Sequence, residues 1–165
     1  WCNGTTGFPF IDAGMRQLQT EGKMPHLLRQ ACAGFLVRDL RVDWRWGAEW
    51  FESQLLDYTP DANWGNWGYR ILPIKQLQPL SSLHLTSLEI LSWPVVHDPH
   101  LTYILKWIPE LNKVPQKFIH KPWEMEMKYQ QAINTIIGKD YPKPIVIHEE
   151  ARASALKAFQ SLKKN

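Results

Sequence analysis

The chain has few cysteines and no long hydrophobic run. Its 165 residues contain two cysteines, Cys2 and Cys32, and their spacing matches neither a metal site nor a disulfide framework. The two thiols could pair, although a reducing compartment is the default for so few cysteines. No apolar segment approaches the roughly 18 to 20 residues that a membrane span needs, and the N-terminus has no features of a signal peptide. We therefore expect a soluble or peripheral protein, with plastid and cytoplasm both open.

The excess of positive charge is small as well. The formal net charge is +3 and the pI is about 8.9, whereas a dedicated nucleic-acid-binding protein concentrates far more positive charge. The composition permits DNA contact but predicts that it is weak or absent. Alternating β patterns are almost missing, and no internal repeat or low-complexity linker is present. Because the chain begins at Trp1 without an initiator methionine, we expect a processed protein or a piece of a longer one.

Tryptophan, in contrast, is abundant. The chain has nine tryptophans and is 44% hydrophobic, which is enough to build a core. Apolar residues recur at helical spacing in three successive segments. The first begins near Asp12 and ends at Gly22, the second runs from His26 to about Val42, and the third has Asp43 as its N-cap. Three helices in succession predict an all-α fold, a helical bundle.

Further helices are predicted in the second half of the chain. Asp98 is expected to cap a helix that has Pro99 at its first position and ends near Pro109. Another helix is expected from Trp123 to Ile137, and a last one from about Glu149 to Lys163. The apolar face of the last helix consists of Leu156, Phe159 and Leu162.

The segment 71–97 is rich in leucine, proline and serine and differs from the sequence on both sides. Four of its leucines predict a short amphipathic helix between prolines: Leu80, Leu83, Leu88 and Leu91. Two interpretations stay open, an ordinary surface helix packed on the bundle or a Leu80–Leu91 docking region for a protein partner. We treat 1–165 as a single helical domain with a core at 1–70, this divergent segment, and C-terminal helices at 98–165.

The most unusual stretch is 57–69, which reads DYTPDANWGNWGY. Asparagine and glycine permit positive φ angles and close backbone approach, and the two indole rings beside them offer flat apolar walls. We interpret this stretch as a turn that holds a planar ligand.

Five segments occur in a characteristic order and spacing: GFPFIDAGMRQL, FLVRDLRVDWRWGAEWFESQLLD, ANWGNWGY, IPELNKVPQKFIHKPW and DYPKPIVIHEEAR. Together they resemble the C-terminal half of the helical FAD-binding domain in the photolyase and cryptochrome family. The resemblance covers most of the chain. The Asn-Trp-Gly-Asn-Trp form of the third segment is most similar to the DASH branch of that family.

The resemblance implies FAD as the cofactor, with no metal. Arg29 and Asp57 match an arginine and a carboxylate beside the flavin, whose charges balance and whose polar atoms can hydrogen-bond the edge of the ring. Tyr58 and Thr59 belong to the same implied binding segment. Asn63 matches the position that faces flavin N5, where the side chain influences which reduced form of the flavin persists.

The resemblance also implies a light-driven electron relay. Trp67 and Trp44 match two members of the tryptophan series that passes an electron to photoexcited flavin. Plain alternatives exist for each assignment: two of nine tryptophans can simply share a core, Arg29 and Asp57 can form an ordinary salt bridge, and Asn63 can be an ordinary turn residue.

The chain departs from the family in several places. Met24, Pro25, His26 and Leu27 stand where photolyases carry Met-His-Asn-Arg, and the lost Asn and Arg meet damaged DNA in the family. Leu27 neither hydrogen-bonds a base nor neutralises a phosphate, which argues against repair of thymine dimers. Thr59 followed by Pro60 replaces a second acidic residue. The Phe-Arg-Ile-Phe-Asn-Pro core that follows in the family is absent.

Length is the largest departure from the family. The Ser/Thr-rich loop that holds the FAD phosphates and the antenna-binding domain both lie upstream of the region that matches Trp1. A flavin held by its ring alone would lose the phosphate contacts, and its affinity would fall tenfold for each ~1.4 kcal/mol lost. A partner chain would then have to supply them.

Two functions therefore stay open. The first is a light-responsive FAD-binding module without repair activity. The second is a cofactor-free structural or interaction subunit of a larger assembly that retains the scaffold. Non-specific DNA binding is a third, which the weak charge disfavours.

Overall fold

The computed structural model describes residues 1–71, 91–92 and 94–162. These residues form helices and turns with one isolated bridge, Ile137 to Tyr141, and no β-strand occurs among them. The predicted all-α fold is therefore confirmed. The bounded α-helices are α1 (Pro9–Glu21), α2 (His26–Gly34), α3 (Trp44–Gln54), α4 (Pro60–Ile71), α5 (Thr102–Trp107), α6 (Met127–Ala132) and α7 (His148–Leu162), together with a π-helix (Phe35–Asp39) and 3-10 turns (Pro109–Leu111, Gln116–Phe118, Pro122–Glu124). Residues 91–92 and 94–97 are helical as well.

Local sequence signals set the end of α1 and the start of α3, as predicted, whereas α1 begins before the start predicted near Asp12. Pro9 occupies the first turn of α1, and Gly22 closes that helix in the left-handed region, at φ 64°. At the start of α3, the carboxylate of Asp43 accepts a hydrogen bond from the backbone N–H of Arg45. These caps fix where α1 ends and where α3 begins.

The helix predicted from His26 to Val42 changes its winding after Gly34. The next five residues form the π-helix, and the N–H of Leu40 bonds to the carbonyl five residues before it. Asp39 at the end of the π-helix pairs with His148, the first residue of α7, and both side chains are buried. The C-terminal helix is thereby tied to the end of the π-helix.

The turn predicted at 57–69 is wrong, because Pro60–Ile71 form the helix α4. Asn63 donates its backbone N–H to the carbonyl of Thr59 in the first turn. Glycine and asparagine lower the intrinsic helix propensity of this stretch. Burial of one helix face against α3 outweighs that cost, and Trp67 is only 3% exposed. The side chains of this stretch therefore project at helical spacing.

The start of α5 also differs from the prediction. The helix begins at Thr102 rather than at Pro99. Asp98 nevertheless caps it, since its carboxylate oxygens accept hydrogen bonds from the backbone N–H groups of Tyr103 and Ile104. The capping residue was correct, and the predicted first position was wrong.

The helix predicted from Trp123 to Ile137 is too long. Within it, α6 covers only Met127–Ala132. The Gln130 side chain donates to the carbonyl of Met125 and accepts from the N–H of Ile137. These bonds fold the chain back on itself, which the apolar spacing alone did not reveal.

The last helix, predicted from about Glu149 to Lys163, is confirmed as α7. No helix in the described ranges combines the length and apolar character that would let it cross a membrane. Predictions for other side chains, namely Leu80, Leu83, Leu88, Leu156, Phe159 and Leu162, lie outside what the structure describes.

Asp12 on α1 joins distant parts of the chain in the interior. Its carboxylate accepts hydrogen bonds from the N–H and hydroxyl of Thr6, the N–H of Gly7 and the hydroxyl of Tyr141. Asp12, Thr6 and Tyr141 are each 0% exposed. This network anchors the N-terminal lead-in and the C-terminal region to the helix that carries the core.

Candidate functional site

Helices α2, α3 and α4 and the loop before α4 enclose a cavity of ≈ 390 Å³. All five residues predicted to bind the cofactor line it, and so does one of the two predicted relay tryptophans. These residues are Arg29, Asp57, Tyr58, Thr59, Asn63 and Trp67. The structure thus brings them together, while their part in cofactor binding stays a prediction.

The inner wall of the cavity is aromatic. Trp67 meets Phe51 edge to face, with ring centroids 5.2 Å apart, and Trp1 lies behind them, stacked on Phe51 at 5.8 Å. Gly47 makes room for the indole, because a Cβ at that position would lie 2.3 Å from Cη2 of Trp67. A side chain at position 47 would push Trp67 toward the cavity. Trp67 and Phe51 therefore make this wall of the cavity aromatic and apolar.

A charged pair forms one side of the cavity. The guanidinium of Arg29 donates to both carboxylate oxygens of Asp57, at 2.8 and 3.0 Å, and its Nε donates to the carbonyl of Met24. This hydrogen bonding lowers the pKa of Asp57, so the carboxylate stays ionised at neutral pH. The Asp57 side chain is 61% exposed and keeps oxygen surface available to a ligand.

Asn63 contributes an oriented amide. Its Nδ2 donates to the carbonyl of Ala48 on α3 at 2.9 Å, and the residue is buried. With the nitrogen engaged in that bond, Oδ1 is the atom available to accept a hydrogen bond from a ligand. Asn63 therefore offers an acceptor at a defined place in the wall.

Three polar residues of the cavity were missed from the sequence: His26, Gln30 and Asn66. The amide nitrogen of Gln30 lies 2.8 Å from Nε2 of His26, which is four positions earlier on α2. Asn66 follows Asn63 by three positions on α4. Helical spacing would have placed Asn66 beside Asn63 if α4 had been predicted as a helix.

Trp44 does not line this cavity. It is half-buried at the start of α3, where its ring meets that of Trp64 edge to face, with centroids 5.7 Å apart. Nε1 of Trp64 donates to a carboxylate oxygen of Glu52 at 3.1 Å. Burial, together with a hydrogen bond to Glu52, raises the pKa of the neighbouring Tyr58. The two predicted relay members are therefore at different depths, one in the wall of the cavity and one nearer the surface.

The two thiols do not form a disulfide with each other. Cys2 and Cys32 are both free, and burial raises the pKa of the Cys32 thiol well above its ordinary value, which makes it unreactive. Within the described residues, no group of three or more His, Cys, Asp or Glu side chains is placed to hold a metal ion.

Sequence comparisons identify relatives of the chain. The family described as the FAD-binding domain of DNA photolyase matches residues 1–161. The chain is 41% identical to the deoxyribodipyrimidine photo-lyase of Alkalihalophilus pseudofirmus over 97% of its length and 33% of that protein. It is 39% identical to the cryptochrome DASH of Synechocystis over 93% of its length and 30% of that protein. The chain thus spans about a third of the length of these curated relatives.

Solved structures show the same relationship. The chain superimposes on the crystal structure of a Synechocystis cryptochrome with a TM-score of 0.81 at 37% identity, covering 95% of this chain and 32% of the other. An archaeal photolyase from Sulfolobus tokodaii, crystallised with two FAD molecules, gives a TM-score of 0.73 at 31% identity, covering 98% and 34%. Because the match extends over almost all of its residues, the chain belongs to the photolyase and cryptochrome family and corresponds to part of the FAD-binding domain.

Proposed function

We propose that the chain is a light-responsive FAD-binding module that does not repair DNA. The observation that carries this proposal is the convergence of Arg29, Asp57, Asn63 and Trp67 on one cavity. These residues come from α2, the loop before α4, and α4 itself. An ordinary salt bridge and an ordinary core tryptophan would not need to face a shared space.

The size and chemistry of the cavity fit the ring of a flavin. Pockets for small organic ligands typically enclose about 300–1,000 Å³, and this cavity of ≈ 390 Å³ lies near the lower limit. It therefore takes one flat ring system rather than a whole dinucleotide. An aromatic wall covers a ring face, and polar groups on α2 and α4 reach its edge. The remainder of FAD would extend beyond this cavity.

Each polar group has a separate task toward the flavin. Arg29 and Asp57, a balanced ion pair, hold the polar edge of the ring. Oδ1 of Asn63 accepts a hydrogen bond from a protonated ring nitrogen, and Tyr58 and Thr59 close the rim. When bound, FAD supplies light absorption and one-electron chemistry. Trp67 in the wall and Trp44 nearer the surface supply the electron.

The rim of the cavity supports the absence of repair. His26 lines the cavity, and the next residue, Leu27, is 43% exposed. An exposed leucine supplies neither the hydrogen bonds nor the positive charge that hold damaged DNA. A flipped base would therefore find no polar partner at position 27.

Titration with FAD tests the proposed function. We expect the purified chain to show, alone or after addition of FAD, the near-ultraviolet and blue absorption bands of oxidised flavin, with saturable binding. Asp57→Ala should raise the Kd about tenfold, since loss of the balanced pair costs ~1.4 kcal/mol. Asp61→Ala is the matched control, because Asp61 is exposed at the start of α4 and does not line the cavity.

Two results would contradict the proposal. A chain that retains no flavin bands after incubation with millimolar FAD and removal of the unbound FAD would leave the cofactor-free interaction subunit as the better account. Equal affinities for the two aspartate variants would show that FAD binds elsewhere on the protein.

Asn63→Ala is expected to change which reduced form of the flavin accumulates under light. Without Oδ1 the cavity lacks the Asn63 acceptor for a protonated ring nitrogen. We therefore expect a larger share of the reduced flavin to accumulate in its unprotonated form. The lost bond to Ala48 should also lower the free energy of unfolding by about 1 kcal/mol. Visible spectra recorded during illumination give the readout. Asn112→Ala, on the exposed surface, serves as the control. Identical spectra for both variants would show that Asn63 does not contact the flavin ring.

A further inference from the structure

A pair of indoles continues from the cavity toward the surface. Trp64 precedes Trp67 by three positions on α4, so the two side chains are neighbours on the same part of the helix. The ring of Trp64 meets that of Trp44 at a centroid distance of 5.7 Å and an interplanar angle of 74°. Trp67 is 3% exposed, whereas Trp64 and Trp44 are half-buried. The three indoles thus run from the buried wall to the solvent.

The indole N–H of Trp64 has a carboxylate base beside it. Nε1 of Trp64 donates to a carboxylate oxygen of Glu52 on α3 at 3.1 Å. Glu52 is exposed, so a proton on it exchanges with water. Trp1, by comparison, donates its indole N–H to the backbone carbonyl of Cys32 at 3.0 Å, and a peptide carbonyl does not take up a proton.

We propose that Trp64 is the terminal electron donor of the relay and that Glu52 is the base that takes its indole proton. The inference rests on the proposed function, in which the excited oxidised flavin is the oxidant. One electron passes from Trp64 to the oxidised indole of Trp44 and restores it. The N–H bond of Trp64 breaks, and its proton goes to the Glu52 carboxylate. The products are a neutral tryptophanyl radical and a neutral carboxylic acid.

Proton loss prolongs the charge separation. An oxidised indole is a far stronger acid than an indole, so a nearby carboxylate deprotonates it readily. The electron can return to the resulting neutral radical only together with a proton, which slows recombination. Because Trp64 is partly exposed, a dissolved thiol can supply the electron and proton that restore it. This assigns the surface end of the relay to residues within this chain.

The replacement Glu52→Gln tests the base. Glutamine keeps a hydrogen-bond acceptor for Trp64 but takes no proton at neutral pH. After a light flash on the FAD-loaded chain, we expect deprotonation of the tryptophanyl radical to slow about a hundredfold. The solvent deuterium isotope effect on the deprotonation rate should change as well. The matched control is Glu49→Gln, which removes the same charge one helical turn earlier on α3 and leaves the rate unchanged. The cation and neutral radicals have separate visible bands, so transient absorption follows the step.

A dissolved oxidant gives a readout that does not need flavin. A ruthenium polypyridyl complex oxidised by flash–quench generates indole radicals in the FAD-free chain, in a Trp46→Phe background that removes an indole 72% exposed. We expect Trp64→Phe to lower the yield of the long-lived neutral radical several-fold and Trp123→Phe to leave it unchanged. Glu52→Gln should slow the proton loss here as well.

The outcomes separate the two proposals. A radical that depends on Glu52 with the ruthenium oxidant, and no radical with FAD and light, supports proton transfer from Trp64 to Glu52 but overturns the proposed function and the place of Trp64 in a flavin relay. Equal deprotonation rates in Glu52→Gln and Glu49→Gln overturn the inference whether or not FAD binds. A tyrosyl spectrum by electron paramagnetic resonance would place the terminal donor on a tyrosine, and this also overturns it.

Discussion

Replacing Trp67 with phenylalanine should slow light-driven reduction of bound FAD by about a hundredfold, equivalent to ~2.8 kcal/mol at ~1.4 kcal/mol per tenfold. Trp67 is the indole that lines the cavity, and phenylalanine fills most of the same space but is much harder to oxidise. FAD binding should survive, because the aromatic wall is retained. The rate of flavin bleaching under blue light, with a thiol present, measures the effect.

The control for this prediction is Trp123→Phe. Trp123 packs on Phe8, with centroids 5.1 Å apart, and lies outside the cavity lining. Because Trp123 is half-buried and Trp67 is buried, the loss of stability is expected to be smaller for Trp123→Phe. Equal photoreduction rates in Trp67→Phe and the unmodified chain would mean that electrons reach the flavin by another route.

The largest expected effect on stability comes from Asp12→Ala. Four donors on Thr6, Gly7 and Tyr141 share this buried carboxylate, and each buried donor left unsatisfied costs about 1–3 kcal/mol. With some of them rescued by water, we expect the free energy of unfolding to fall by about 3–5 kcal/mol. Urea denaturation followed by circular dichroism gives the value.

Asp61→Ala is the stability control. Its exposed carboxylate near the N-terminus of α4 interacts with the helix dipole, which is worth about 0.3–1 kcal/mol. A loss for Asp12→Ala no larger than this would show that the network does not hold the chain termini together.

The pH dependence of stability carries the signature of Asp12. Burial raises its pKa in the folded chain above the ordinary value, so the folded state retains the proton to higher pH than the unfolded state does. The contribution of this group is therefore complete below the ordinary aspartate pKa and declines as pH rises through the raised pKa. Subtracting the pH profile of Asp12→Asn from that of the unmodified chain isolates this slope.

Much of the fold was predictable because its signals are local. Gly22 ends α1 and Asp43 caps α3 through interactions within a few residues. From the sequence alone, the motif segments indicated the family, and with it the candidate positions Arg29 and Asp57. What failed were elements whose conformation depends on partners far along the chain. Asn63 of α4, whose side chain donates to the carbonyl of Ala48 on α3, 15 positions earlier, is one example.

Helix α4 is the clearest case of an element whose conformation is set by tertiary packing. Its asparagines and glycines predict a turn when local preference alone is considered, because these residues are weak helix formers. Packing on α3 makes this stretch helical instead, because it buries Trp67 and allows the hydrogen bond from Asn63 to Ala48. The same packing creates the cavity and the contact between Trp44 and Trp64, neither of which any spacing in the sequence encodes.

The sequence by itself determined the helical class, the caps, the family and the residue types available for a flavin. Only the tertiary structure decided that these residues face one space of limited size, and that an indole near the surface has a carboxylate at its N–H. The physical reason is that hydrogen bonds and burial between α2, α3 and α4 depend on distances in space, whereas helix caps depend on distances along the chain.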